Sequence, residues 1–249
     1  MIVLKTTGEI NLMRQACKIA AGALIAAGEA VKPGVSTFEI NRVCEHFIRL
    51  HNAVPTFLGY QGYPAASCIS INDEVIHGIP SKKRIVHEGD IVSIDVGATF
   101  NGYVGDNAAT FAAGAISPEA QRLCDVTRES LYKGIEAAQV GGRIGDIGHA
   151  VQAYCEEAGF SVVREYTGHG VGHVMHEDPS VPNYGTPGRG VRLQPGMTIA
   201  IEPMINMGKA DIRRLPDGWT VKTKDGKYSA HFEHTVAITS NGPVILTRV

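Results

Sequence analysis

The chain lacks the closely spaced cysteine pairs that form zinc ribbons and thioredoxin-type redox sites. Its cysteines are odd in number, and no two of them stand in a Cys-x-x-Cys pattern. Thiols distributed in this way are typical of reduced, buried side chains in the cytoplasm, where disulfides rarely persist. We therefore expect a cytoplasmic protein without a disulfide framework. The cysteines are Cys17, Cys44, Cys68, Cys124 and Cys155.

The chain also lacks a long apolar run and a strong excess of charge of one sign. Its most apolar segment, residues 16–31, is too short to span a membrane and contains Lys18 and Glu29. A formal net charge of −2 provides no general attraction toward nucleic acid or an anionic membrane. We therefore expect neither a membrane nor a nucleic acid as a direct partner.

Three common catalytic or nucleotide-binding motifs are missing as well. The glycine-rich segment 168–173 would match the nucleotide-loop pattern G-x-G-x-x-G only with glycine at position 173, where His173 stands. His176 is followed by Glu177, but no second histidine completes an HExxH zincin helix. No G-x-S-x-G nucleophile elbow is present either. These absences argue against a nucleotide-binding loop, a zincin and a serine hydrolase.

What the sequence does contain is a twice-repeated order of two helices followed by strands. Capping boxes at Thr6–Glu9 and Ser36–Glu39 predict helices that end before Pro33 and near His51. A third helix is predicted from Ser117 and a fourth over residues 146–158. Apolar, β-branched segments predict strands at 67–72, 90–97, 103–111, 161–166, 197–203, 219–224, 231–239 and 244–249.

Matching segments support an internal duplication. Residues 89–95 align with residues 196–202 at an offset of 107, and the same offset pairs Ile40 with Ile147. The order of elements predicts an α+β architecture. We expect one catalytic domain over residues 1–249, with halves of about 1–115 and 116–249. The second half contains an insertion at roughly residues 207–226.

Five side chains in this pattern are candidate metal ligands. Four carboxylates and one imidazole cannot be gathered in a protein interior without cations, because like charges at contact distance repel or become protonated. Two divalent ions sharing bridging carboxylates would resolve this conflict and create a hydrolytic centre. The alternative is that the aspartates are turn residues and that the last glutamate lies on a solvated strand face. The candidates are Asp95, Asp106, His169, Glu202 and Glu233.

Longer motifs around these residues resemble one enzyme family, the type I methionine aminopeptidases. They are CISINDEVIHGIP, GDIVSIDVGATFNGYVGD, VVREYTGHGVG, LQPGMTIAIEPM and DGWTVKTKDGKYSAHFEHT. The resemblance extends from Thr6 nearly to the end of the chain. It implies the pita-bread fold, in which two pseudo-symmetric α+β halves surround a dinuclear metal centre. The short chain is similar to the bacterial form, without an N-terminal zinc-binding extension.

The resemblance also implies a role for each candidate. Asp106 and Glu233 would bridge two metal ions, Asp95 would complete one site, and His169 with Glu202 the other. Glu202 would also be the general base for a metal-activated water that attacks the first peptide bond. His176 would stabilise the oxyanion, and His77 would contact the scissile amide.

The methionine pocket is likewise implied by the family. The chain departs from the best-known pattern at two positions, where Phe57 replaces a cysteine and Met175 replaces a phenylalanine. The pocket stays apolar and polarisable, which suits a thioether. The only tryptophan, Trp219, has the alternative role of a core anchor. The implied substrate-binding residues are Phe57, Tyr60, Tyr63, Cys68, His77, Met175, His176 and Trp219.

The resemblance further implies cofactors and partners. Hard oxygen ligands with one imidazole suit Co, Mn, Fe or Zn as the two divalent ions. The substrates would be peptides and nascent chains with a free N-terminal methionine and a small second residue. Transient ribosome association and a monomeric state are also expected. Two alternatives remain open: an Xaa-Pro peptidase, which shares the ligands, and a non-catalytic binding module that reuses the fold.

Overall fold

Two of the four helices begin at the predicted capping boxes. In the computed structural model, which describes residues 1–248, the Thr6 hydroxyl accepts a hydrogen bond from the Glu9 N–H, and the Glu9 carboxylate accepts one from the Thr6 N–H. Ser36 and Glu39 form the same reciprocal pair. The α-helices are α1 (Thr7–Glu29), α2 (Thr37–Leu50), α3 (Pro118–Ala137) and α4 (Ile144–Glu157), and a 3-10 helix covers Tyr60–Gly62.

The strands confirm the predicted mixture of α and β structure. All pairings between them within residues 1–248 are antiparallel. They are β1 (Val54–Pro55), β2 (Cys68–Ile71), β3 (Glu74–Ile76), β4 (Ile91–Phe100), β5 (Tyr103–Ala112), β6 (Ser161–Val162), β7 (Gly168–Gly170), β8 (Glu177–Val181), β9 (Thr198–Ile201), β10 (Met204–Asn206), β11 (Ile212–Arg214), β12 (Val221–Thr223), β13 (Ser229–His231), β14 (Glu233–Thr239) and β15 (Gly242–Ile245).

Some predicted strand bounds are wrong. The strand predicted at 161–166 ends at Val162, because its partner β10 begins at Met204 and leaves only one further backbone bond, from the Val163 N–H to the Met204 carbonyl. The strand predicted at 231–239 is divided at Phe232, since β13 pairs with β10 whereas β14 pairs with β5 and β9. Val249, the last residue of the strand predicted at 244–249 and of the predicted domain, lies outside the described residues.

One nine-stranded sheet contains most of the strands. Its path is β1-β4-β5-β14-β9-β7-β8, with β15 added to β14 and β2 added to β4. Apolar residues of α1 and α2 pack with those of β2 and β4, and apolar residues of α3 and α4 pack with those of β9 and β14. Burial of these apolar side chains is the main stabilising contribution to the sheet–helix layers. Within the described residues, no helix combines the length and apolarity that a membrane crossing requires.

The element bounds repeat at the offset found in the sequence. Helices α2 and α4 begin at Thr37 and Ile144 and end at Leu50 and Glu157, which are 107 residues apart in each case (144 − 37 and 157 − 50). Strands β4 and β9 also begin 107 residues apart (198 − 91). The predicted insertion at 207–226 contains the hairpin β11–β12, whose second strand pairs with β3.

Candidate metal centre

Strand register brings three of the candidate carboxylates together in the middle of the large sheet. Ala108 of β5 pairs with Asp95 of β4 on one side and with Glu233 of β14 on the other. Asp106 lies two residues before Ala108 on the same strand and therefore points to the same face of the sheet. Three adjacent antiparallel strands thus direct their carboxylates toward one region.

Two further candidates come from the next strands along the sheet. His169 lies in the middle of β7, and Glu202 directly follows β9, which pairs with β7 through Gly170 and Ile199. The His169 Nε2 atom is 3.5 Å from Asp106 Oδ2 and 3.6 Å from Glu202 Oε1. Potential ligand atoms of Asp106, His169 and Glu233 all lie within 4.8 Å of one another.

The backbone around His169 fixes the orientation of its ring. The His169 Nδ1 atom lies 2.8 Å from the Gly170 carbonyl oxygen, so Nδ1–H donates to that oxygen and Nε2 is directed toward the carboxylates. The glycines on each side have a structural reason: a Cβ at Gly168 would collide with the Ala200 carbonyl, and one at Gly170 with the Asp178 carbonyl. These glycines therefore allow the close approach of the neighbouring strands β8 and β9.

The buried carboxylates of the site lack enough hydrogen-bond donors and positive charges among the neighbouring side chains that the structure describes. Three buried carboxylate oxygens, Asp95 Oδ1, Asp106 Oδ1 and Glu233 Oε1, have no hydrogen-bond partner within residues 1–248. Burial, followed by repulsion from neighbouring carboxylates, raises the pKa of Asp95 and of Glu233 well above the usual range. A buried group of carboxylates with unused acceptor oxygens and one oriented imidazole fits divalent metal ions.

The same carboxylates raise the pKa of His169. Burial by itself would lower its pKa, but the hydrogen bond with Asp106 and the charges of Glu202 and Asp106 raise that pKa to about 9. The surrounding carboxylates thus stabilise the protonated, positively charged form of the imidazole. A divalent ion beside Nε2 would supply the same compensation without a proton.

A cavity of about 280 Å³ opens onto this group of ligands. Its walls include all eight residues predicted to bind substrate, together with Asp95, His169 and Glu202. Gln61 and Tyr166 also line it, although the sequence analysis did not identify them. The substrate residues come from separate parts of the chain: Phe57, Tyr60, Tyr63 and Cys68 around the 3-10 helix and β2, His77 after β3, Met175 and His176 before β8, and Trp219 before β12.

His77 is held in an unusual backbone conformation at the edge of the cavity. Its φ angle is +59°, a region that non-glycine residues rarely adopt and that is often retained at functional sites. The rings of Tyr166 and Trp219 make edge contacts with it, at centroid distances of 5.7 and 6.2 Å. Burial, together with the nearby His231 and His176, lowers the pKa of His77 to about 4, so the ring is neutral at physiological pH.

His176, directly before β8, lies beside the candidate ligand His169 and is held by Tyr60. Its ring centroid is 4.2 Å from that of His169, and its Nδ1 lies 2.7 Å from the Tyr60 hydroxyl. Burial lowers the pKa of His176, with a further contribution from His169. The sequence predicted Tyr60 only as a pocket wall and gave no signal for this hydrogen bond.

His231 is a fourth histidine at the centre, and it was not predicted from the sequence. Its Nε2 atom lies 3.6 Å from Glu202 Oε2. Its position two residues before Glu233 in HFEHT was the available signal, because alternate residues of one strand share a face. The pattern was incomplete, since a strand break at Phe232 separates the two residues.

Comparisons with known proteins agree with this geometry. A sequence model of metallopeptidase family M24 matches residues 11–240. The chain is 55% identical over 247 residues to a methionine aminopeptidase of Clostridium acetobutylicum, covering 99% of each protein. It matches the crystal structure of methionine aminopeptidase from Thermotoga maritima with a TM-score of 0.98 and 46% identity, covering 100% of each. The prolidase from Pyrococcus furiosus is also similar (TM-score 0.80, 27% identity), but the match covers 99% of this chain and 66% of that protein.

Proposed function

The chain belongs to metallopeptidase family M24 and removes N-terminal methionine by metal-dependent hydrolysis, and we propose that five residues hold the metal ions for this reaction. The predicted resemblance to bacterial type I methionine aminopeptidases and the predicted pita-bread fold are confirmed by the full-length similarities. The observation that carries the ligand proposal is the group of buried carboxylate oxygens left unpartnered within residues 1–248. The proposed ligands are Asp95, Asp106, His169, Glu202 and Glu233.

The order of the strands supports two ions rather than one. Asp106 and Glu233 lie on the central strands β5 and β14, and Asp95 lies to one side on β4. His169, on β7, and Glu202, directly after β9, lie to the other side. Asp106 and Glu233, at the centre, would therefore help to hold both ions, and the other ligands on each side would complete the two sites. The donor set suits Mn, Fe, Co or Zn.

Since these ligands come from both predicted halves, we propose that residues 1–249 act as one catalytic domain. Asp95 and Asp106 belong to residues 1–115, and the other three ligands belong to residues 116–249. The continuous path of the large sheet, which passes from β5 directly to β14, supports this proposal. Neither half alone contains a complete set of ligands.

When bound, divalent ions polarise the scissile carbonyl and lower the pKa of a water molecule toward neutrality. The protein's own residues move the protons. Glu202, whose side chain is 13% exposed at the cavity, takes the proton of the attacking water as general base and passes it to the leaving amine nitrogen. His176 donates a hydrogen bond to the oxygen that becomes negatively charged. The neutral ring of His77 contacts the nitrogen of the scissile amide.

A hydrogen bond joins the Tyr60 hydroxyl to His176 Nδ1, and its direction sets the tautomer of the His176 ring. If the Tyr60 hydroxyl donates to Nδ1, the ring proton stays on Nε2, which is then the donor toward the substrate. We expect Tyr60→Phe to lower kcat roughly two- to tenfold with little change in KM, which corresponds to one neutral hydrogen bond. Steady-state kinetics on a Met-Ala-Ser peptide would measure the effect.

A matched control is Tyr103→Phe, which removes a hydroxyl that bonds to Glu9 outside the cavity. It should leave kcat unchanged. A rise in KM without a fall in kcat for Tyr60→Phe would assign Tyr60 to the pocket wall alone.

The cavity walls suit an unbranched thioether. Phe57, Cys68 and Met175 are each at most 6% exposed and belong to one apolar cluster, against which Trp219 packs. Trp219 also contacts the Tyr63 ring edge-on at a centroid distance of 5.1 Å, so it is both a wall of the cavity and a packing residue. Sulfur beside aromatic rings is favourable, and apolar burial favours methionine over polar side chains.

A panel of four peptides would test the proposed specificity. We expect release of methionine from Met-Ala-Ser but not from Met-Trp-Ser or formyl-Met-Ala-Ser, because the family resemblance implies a small second residue and a free amine. Ala-Pro-Ala should not be cleaved. Cleavage of Ala-Pro-Ala instead would assign the chain to the Xaa-Pro peptidases. Tight metal binding without turnover of any peptide would favour a non-catalytic binding module.

The compartment and the partners follow from the same proposal. Five unpaired, buried cysteine thiols support a reducing compartment and hence the cytoplasm. There the substrates are nascent chains whose first methionine is free, and transient contact of a monomeric enzyme with the ribosome would present them. A ribosome pull-down at moderate salt and a sedimentation measurement would test the contact and the monomeric state.

A further inference from the structure

His231 lies beside the centre with a fixed backbone and a buried ring nitrogen that has no hydrogen-bond partner within residues 1–248. The residue is 2% exposed, and its Nε2 atom has no hydrogen-bond partner in the described part of the chain. Its backbone is clamped by Thr110: the His231 N–H donates to the Thr110 hydroxyl (3.0 Å), and that hydroxyl donates to the His231 carbonyl (2.9 Å). Burying a polar atom without a hydrogen-bond partner costs free energy, so its retention here calls for a functional explanation.

The carboxylate of Glu202, next to His231, is not held by a hydrogen bond from either neighbouring imidazole. Its backbone is held, because its carbonyl accepts a hydrogen bond from the Asn183 side-chain amide (2.9 Å). Its carboxylate lies between two imidazoles: Oε1 is 3.6 Å from His169 Nε2, and Oε2 is 3.6 Å from His231 Nε2. Neither distance is short enough for a hydrogen bond, so the carboxylate is near two donors and fixed by neither. A ligand that is also a general base must keep one oxygen in a defined direction.

We propose that His231 is a positioning residue for Glu202, which donates its Nε2–H to Oε2 and thereby leaves Oε1 for the metal side of the centre. The inference rests on the proposed role of Glu202. The contact needs to shorten by only a few tenths of an ångström, and catalytic hydrogen bonds are often long without substrate and tighten in the complex. His231 does not contact the substrate or the reacting atoms in this role. It acts by holding Oε2, which fixes the direction of Oε1, the carboxylate oxygen that accepts the proton.

Three variants separate this role from a structural one. His231→Leu and His231→Met fill the space but have no donor, whereas His231→Gln keeps an N–H donor of similar reach. With the metal-loaded protein and Met-Ala-Ser, we expect the two apolar variants to lower kcat roughly 10- to 100-fold at nearly constant KM. The glutamine variant should return kcat to within about threefold of the wild-type value. Metal content and Tm, measured for each purified protein, provide readouts besides activity.

The other outcomes each overturn a defined part of the inference. Equal losses of kcat in the glutamine and leucine variants would show that packing, not hydrogen bonding, is the role of His231. An apolar variant with wild-type kcat would exclude any positioning role. Loss of one bound ion in the apolar variants would make His231 a metal ligand instead. Failure of the wild-type protein to release methionine under any metal would overturn the proposed role of Glu202, and this inference with it.

Discussion

Replacing Glu202 with alanine is expected to lower kcat/KM for Met-Ala-Ser by roughly 10³-fold or more, because the substitution removes a general base and a metal ligand together. The side chain lies where both roles meet, 3.6 Å from His169 Nε2 and on the wall of the cavity. The kinetic measurement should use protein purified with excess metal, so that weakened metal binding alone does not produce the loss. Glu157→Ala, on the exposed end of α4, is the matched control and should retain wild-type activity.

A second substitution at the same position separates the two roles. Glu202→Gln keeps an oxygen that can bind a cation but cannot accept a proton at neutral pH. We expect it to retain more bound metal than Glu202→Ala while remaining nearly as inactive. Turnover close to the wild-type level in either variant would contradict the assignment of Glu202 as the base.

The parts of the fold that follow local rules were predictable from the sequence. The capping boxes at Thr6 and Ser36 fix the starts of α1 and α2, because each motif satisfies its own backbone groups within four residues. The shared offset predicted that α4 would reproduce α2, and the observed bounds agree. The candidate carboxylates were recognisable because each ends or interrupts an apolar strand, where an isolated charge would be costly.

Features that depend on contacts between distant segments were not predictable in the same way. The division of HFEHT at Phe232 occurs because β13 and β14 pair with different partners, and no local pattern encodes that choice. Tyr166 reaches His77 across a long stretch of sequence, as does Tyr60 to His176. His231 was overlooked for the same reason: its partner Glu202 is close in space only after β10 and β13 have paired.

Removing the metal ions is expected to abolish methionine release and to lower the Tm of the protein at neutral pH. Metal binding at a concentration about 100-fold above Kd contributes roughly 2.7 kcal/mol to the free energy of unfolding. For a chain of this size, that corresponds to a Tm difference of about 5–10 °C. Dialysis against a chelator, followed by separate addition of Mn, Fe, Co or Zn, would measure both effects. Recovery of activity and Tm with one ion, but not with Mg, would identify the preferred metal.

The Tm difference between loaded and stripped protein should also increase with pH. In the stripped protein the pKa of Asp95 and of Glu233 is raised, chiefly by burial and then by repulsion from Asp106 and Glu202, so their contribution to stability is present below the ordinary carboxyl pKa and lost as pH rises through the folded value. The loaded protein behaves oppositely, because metal ligands must be deprotonated and bind more tightly as pH rises. His234, which alternates with Glu233 on β14 and so points to the other face of the sheet, has its pKa lowered to about 4 by burial; it destabilises both forms in acid and cancels in the difference. A Tm difference that stays constant between about pH 5 and pH 8 would mean that these carboxylates are not the ligands.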